Sequence, residues 1–171
     1  METSYIITFI GDDRPGLVEQ LSAVIENNGG NWHESRLSQL GGKFAGLILL
    51  SLPADGGPSL EAGLNELASS GISVRVTATG EKSASSPGQH IMLNIMGPDR
   101  PGIVREISSA LAQRKINVLE MDSQVSSAPM SAEKLFSAGI KGWIPEATNI
   151  EDLRDTLDEI ANQMTLEIDL A

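Results

Sequence analysis

Hydrophobic positions change period several times along the first half of the chain, and each change marks an element. Tyr5 to Ile10 is an almost unbroken apolar and β-branched run ending at Gly11, which predicts a buried strand. From Leu17 the period becomes helical: Leu17, Val18, Leu21, Val24 and Ile25 fall on one face of a helix. Pro15 suits the first turn of that helix, and Gly29-Gly30 stops it. Asn31 to Leu40 and Lys43 to Leu52 read as two strands joined by a tight turn at Gly41-Gly42. Leu60, Leu64 and Leu67 return to helical spacing, closed by Gly71. Ile72, Val74 and Val76 then alternate with polar residues as a half-buried strand. The predicted order is strand, helix, strand, strand, helix, strand.

The second half repeats that order. His90 to Met96 is a strand, and Ile103, Val104, Ile107, Ala110 and Leu111 reproduce the first helix position for position. Strands follow at Val118 to Val125 and Leu135 to Ile144. A helix carries Ile150, Leu153, Leu157 and Ile160, with Thr148 or Asn149 as its cap, and a last strand alternates Leu166, Ile168 and Leu170. Gly11-Asp12-Asp13-Arg14-Pro15-Gly16 returns 86 residues later as Gly97-Pro98-Asp99-Arg100-Pro101-Gly102. Phe44 and Pro53 match Phe136 and Pro145 at an offset of 92, so six residues have entered the second hairpin between Ser126 and Lys134. Such a repeat means two like domains: residues 1–80 and 89–171, joined by a polar, small-residue linker at 81–88. Two strand–helix–strand crossovers, right-handed and interleaved, predict in each domain an α+β fold, with a four-stranded antiparallel sheet carrying both helices on one face. The other face needs cover, and the other domain or a second chain is the natural supplier, hence an expected homodimer.

Composition narrows the function. The 171 residues carry a net charge of −11, shared as −5 over residues 1–80 and −6 over 81–171. No basic block exists to neutralise phosphates, which argues against nucleic acid or an anionic membrane as a direct partner. With no Cys there is no disulfide, thiolate nucleophile or cysteine metal site. No signal-like N-terminus and no span-length apolar run are present, and cytoplasmic residence is expected. His33 and His90 are the only histidines, and their spacing suggests neither a paired metal site nor a catalytic triad, so neither enzyme activity nor a cofactor is expected. Each reads as a packed or rim imidazole. Trp32 and Trp143 read as core or interface residues, and the acidic helix around Glu151, Asp152, Asp155, Asp158 and Glu159 as a solvated face.

The repeated loop carries the chemical signal. Gly11 permits a turn off the strand end, Pro15 fixes φ for the helix start, and Gly16 leaves the helix amides uncovered. An open helix N-terminus with its partial positive charge suits a carboxylate. Asp13 can accept from an ammonium group, so an α-amino acid is a matched guest. Asn31, at the start of the next strand, is the candidate second polar contact. Asp99, Gly102 and Asn117 are the same three positions in the second copy. The plainer reading of Asp13 is a helix N-cap. Arg14 and Arg100 read first as solvated rim charges, with pairing to acidic neighbours or to the partner domain as the alternatives.

The Asp-Arg-Pro-Gly-(Leu/Ile)-Val loop, the element order and the tandem arrangement resemble ACT domains, across essentially the whole chain. Ser35 to Gly46 is similar to the first hairpin of the glycine cleavage system transcriptional repressor group. Ala128-Pro129-Met130 before Leu135-Phe136 is similar to the second hairpin of tandem relatives of that group. The resemblance implies a ferredoxin-like fold and amino-acid binding at domain interfaces through the first loop, with glycine or serine as the suggested ligand. It also implies control of a transcription factor by protein contact rather than on DNA. Two other classes fit the same residues. One is a regulatory subunit of an amino-acid or one-carbon enzyme, and the other is a dimerisation module without a ligand.

Overall fold

Strand β1 (Glu2–Asp12) buries Ile7 and Phe9 on one face and turns Ile6, Thr8 and Ile10 to the other, the period-2 consequence of a pleated backbone. Those coordinates belong to a computed structural model that describes residues 1–80 and 86–171. The expected linker therefore falls largely on residues 81–85, outside the described residues. The chain divides into two compact units, Met1–Ser83 and Ala84–Ala171.

In the first unit β1 is followed by α1 (Leu17–Asn27), β2 (Asn31–Leu40), β3 (Lys43–Pro53), α2 (Gly57–Asn65), a 3-10 turn (Glu66–Ser70) and β4 (Ser73–Ala78). The sheet order is β2-β3-β1-β4, antiparallel throughout. Leu17, Leu21 and Ile25 of α1 and Leu60 and Leu64 of α2 meet Ile7, Phe9, Ile48, Leu50 and Leu52, so both helices cover one sheet face. The second unit repeats this with β5 (Gly88–Pro98), α3 (Ile103–Gln113), β6 (Asn117–Ser127), β7 (Lys134–Pro145), α4 (Ile150–Met164) and β8 (Glu167–Leu170), in the order β6-β7-β5-β8. Its core joins Ile91, Leu93 and Ile95 to Ile103, Ile107, Leu111, Leu153 and Leu157. The two cores share no residue.

Register locates the expected insertion. Leu40 pairs with Lys43 across Gly41 and Gly42, whose φ values of 59° and 77° make a tight primed turn. The counterpart Ser126 pairs with Leu135, so eight residues stand where the first copy has two. A feature absent from the sequence reading also repeats. The β2–β3 register slips between Trp32 and Glu34, and β6–β7 slips at the equivalent Val118 and Glu120. The bulge pushes out His33, whose Nε2 lies 2.8 Å from Ser51 Oγ, and Ser51 is the only buried polar residue among those described.

One sequence alternative is narrowed here, one expectation is corrected and one gains a partner. Trp143 lies outside the core, on the face away from the helices, edge-on to His90 with ring centroids 4.9 Å apart. Pro15 sits in a turn before α1 rather than in its first turn, because Gly16 takes the cap position. The acidic face of α4 is exposed as expected, and from it Asp152 accepts the Arg114 guanidinium at 2.8 Å, while the same group donates to Thr156 Oγ1 and to Ala110 O, tying α3 to α4. Asn149 is the cap of α4, its Oδ1 accepting from the amides of Glu151 and Asp152. Asn149→Ala is expected to cost about 1 kcal/mol by denaturant titration, the usual worth of such a cap. Thr148→Ala, whose hydroxyl reaches only Arg114 O at 3.5 Å, should cost less.

Candidate functional site

The repeated loop begins inside a strand, not after it. Gly11 and Gly97 are buried in β1 and β5, and neither has a positive φ. Their requirement is space: a Cβ on Gly97 would come within 2.7 Å of the Thr165 carbonyl and the Leu166 side chain, and one on Gly11 within 3.2 Å of Leu17 Cδ1 and 3.4 Å of the Gly71 carbonyl. The chain entering the last strand of each unit therefore passes directly over this glycine. The expected turn lies farther on, at Gly16 and Gly102, with φ of 87° and 96° and nothing within 4 Å of a Cβ on Gly16. Left-handed backbone there costs a non-glycine residue about 1–2 kcal/mol.

That conformation makes Gly16 and Gly102 the N-caps of α1 and α3, and neither helix has a side-chain cap. Their carbonyls accept the first helical bonds, from Gln20 and Glu106, each at 3.0 Å. The amides of the first turn have no partner within the helix. Asp13 is thus no N-cap, which removes the plainer reading of it. What fixes it is backbone: the Asp13 amide donates to the Gly42 carbonyl at 3.0 Å, and the Asp99 amide to Lys134 O at 2.8 Å. Gly42 and Lys134 are equivalent positions, so both loops are pinned to the hairpin of their own unit.

Around the first loop lies a hollow of about 330 Å³ lined by Asp13, Arg14, Gly16, Leu17, Val18, Glu19 and Phe44. Asp13 and Gly16 are brought together there as expected. Arg14 is not a free rim charge: it donates to Gln20 Oε1 at 2.9 Å and to Ser70 O at 3.3 Å, fastening the loop to the helix and to the end of the 3-10 turn. Phe44, which sequence reading used only to set the offset, supplies the apolar wall and packs tilted on Phe9 with centroids 5.9 Å apart. Lys43 pairs with Asp12 at the lip, and that hydrogen bond and charge hold the Asp12 carboxyl below the usual carboxylate range. The second copy has Pro98 opposite Leu135 at those positions. Glu19 places a second carboxylate in the hollow, favourable to the helix N-terminus and to an ammonium group.

Asn31 is not part of this hollow. It pairs with Ser51, at the end of the sheet opposite the Asp12–Lys43 pairing beside the loop, and Asn117 pairs with Trp143 at the same far end of its unit. Eight residue steps along β1 separate Ser4 from Asp12, about 26 Å of extended chain. Within one unit the asparagine and the loop cannot touch the same small molecule. Among the described residues no three metal-ligating side chains cluster, and no helix is long and apolar enough to cross a membrane.

Family models match both units. An ACT-domain family model matches residues 3–77, and a second ACT-domain model matches residues 91–137. The chain belongs to the ACT-domain family. ACT domains are amino-acid-binding regulatory modules, and this chain holds two in tandem. Among solved structures it is similar to an unknown protein from Galdieria sulphuraria, at 28% identity over 99% of this chain and 98% of that one, with a TM-score of 0.88. It shares its fold with a protein named as a candidate glycine cleavage system transcriptional repressor, at 20% identity over 100% of this chain and 97% of that one, with a TM-score of 0.70. No curated protein matches the sequence.

Proposed function

We propose that this tandem ACT-domain chain is a non-enzymatic regulator that senses a small amino acid and passes the signal to a transcription factor by protein contact. The observation that carries the reading is the pair of equivalent loops. Each has a glycine-capped helix N-terminus free of any side-chain cap, beside an aspartate held by its own backbone. In the first unit the ligand carboxylate meets the amides following Gly16, and its ammonium meets Asp13, with Phe44 as the apolar wall beside them. Gly102 and Asp99 take the same roles in the second. Asn31 and Asn117 serve as ligand contacts only if brought from another domain, since their own loops lie at the far end of the sheet. Glycine or serine is the first candidate ligand. The net charge of −11 supports a protein rather than DNA as the regulated partner.

Thermal-shift screening against the twenty amino acids tests this directly, since a ligand at 100 times its dissociation constant adds about 2.7 kcal/mol of stability. Asp13→Ala is expected to weaken binding about tenfold or more by calorimetry, a charge-assisted hydrogen bond being worth about 1.5–3 kcal/mol. The melting temperature of the free protein should barely move, because the anchoring bond uses the Asp13 amide and not its carboxylate. Equal binding by wild type and the Asp13→Ala/Asp99→Ala variant would take the aspartates out of the site, and no response to any amino acid would leave only the dimerisation module.

A further inference from the structure

The sheet faces turned away from the helices carry matching rows of opposite charge. In the first unit one row runs across all four strands as Arg36, Leu47, Thr8, Arg75. The equivalent row of the second unit is Asp122, Gly139, Asn94, Asp169. An arginine at each end of one is replaced by an aspartate at each end of the other, three strand spacings or about 14 Å apart. All four charged residues are exposed. Between them Leu47, 48% exposed, stands at the position where the second unit has Gly139. Gly139 is in the floor of a hollow of about 750 Å³ that Asn94, Met96, Asp122, Glu167 and Asp169 also line. Neither Asp122 nor Asp169 has an ion-pair partner among the described residues, and Arg36 has only the exposed Glu34.

From this complementarity we infer that the occupant of these faces is a second copy of the chain, the β1–β4 face of one protomer packing on the β5–β8 face of its partner. Rotation by a half-turn about an axis across the strands lays β2 on β6, β3 on β7, β1 on β5 and β4 on β8. Arg36 then meets Asp122 of the partner subunit, and Arg75 meets Asp169 of the partner subunit. Leu47 enters the hollow over the Gly139 position. The same rotation sets Ile10 on Met92 and half-buried Ile6 on Met96, so exposed Ile10, Met92 and Met96 are covered together. Glu34 falls on Gln124, clear of Glu120 and Glu167, and Ala45 on Lys141, so no like charges coincide. Sheets packed face to face lie about 10 Å apart with a rotation of about 30°, a gap the long Arg side chains bridge. Two such contacts between the same two protomers make a two-fold dimer. This assembly does not depend on the ligand reading above.

Sedimentation velocity on the full chain tests it. Wild type should run at twice the mass of one chain, with a dissociation constant that rises with salt as the pairs are screened. Arg36→Asp/Arg75→Asp makes both faces acidic, and Asp122→Arg/Asp169→Arg makes both basic, so each variant alone should be monomeric, its dissociation constant raised at least tenfold. Mixed in equal amounts, the two should form a heterodimer, since each acidic face then finds a basic one. Neutral variants, Arg36→Gln/Arg75→Gln, serve if a charge-reversed chain fails to fold: their dimer should be weaker and should lose most of the salt dependence. A monomeric wild type, charge-reversed variants that dimerise as wild type does, a mixture that stays monomeric, or neutral variants with the wild-type salt slope would each overturn the inference.

Discussion

Replacing Leu21 by alanine is expected to lower the stability of the first unit by about 2–5 kcal/mol while leaving the melt of the second in place. Leu21 is fully buried, at 0% exposure, among Ile7, Ile25, Ile48 and Leu60. The cavity left by truncation has no polar neighbour that could draw in water and soften the loss. A domain of about 80 residues has little stability in reserve, so the loss is a large share of the total. Because the two cores have no residue in common, the damage should stay on one side. Differential scanning calorimetry would show one transition moving down and the other fixed. Leu111→Ala, buried to 1% in the second core, should move the opposite transition. Equal displacement of both transitions by either variant would mean that the halves melt as one.

The second large effect should come from Gly97→Ala. Its methyl group would sit 2.7 Å from a backbone carbonyl, that of Thr165, which cannot rotate aside as a side chain does. Thr165 itself holds a left-handed conformation, φ 59°, at the end of α4, so the chain there has little freedom to retreat. Overpacking of this kind costs about 1–3 kcal/mol. Gly11→Ala is the internal control: contacts of 3.2 and 3.4 Å ask for shifts of only a few tenths of an ångström, much of it from the Leu17 side chain. Urea titration should therefore rank Gly97→Ala well below Gly11→Ala in stability. The same loss for both would point to a conformational rather than a steric need for glycine.

The architecture was readable because it is written in side-chain periodicity. Asn31–Leu40 coincides with its expected strand, and the six-residue insertion emerges as a change of register from Leu40–Lys43 to Ser126–Leu135. The loop was readable as a motif but not as a geometry. Sequence shows that Gly16 is glycine, not that it is left-handed, and a left-handed Gly16 is what moves the helix start past Pro15 and leaves Asp13 outside the cap. The bulges at His33 and Leu119 were invisible because a single extra residue alters no composition, only which neighbour faces which. Asn31 was misplaced for a topological reason. Adjacent in sequence to the end of α1, it enters the sheet at the end that α1 runs towards, whereas the loop stands where α1 begins.

The bond that pins each loop to its hairpin joins main-chain atoms only, Asp13 N to Gly42 O and Asp99 N to Lys134 O. Every residue type but proline can supply the donor and every one the acceptor, so the same tether stands in both units although its acceptor is a glycine in one and a lysine in the other and the second turn is six residues longer. Mutational surveys that change side chains will find these positions permissive at the tether and will miss it. Proline at 13 or 99 is the substitution that would reveal it.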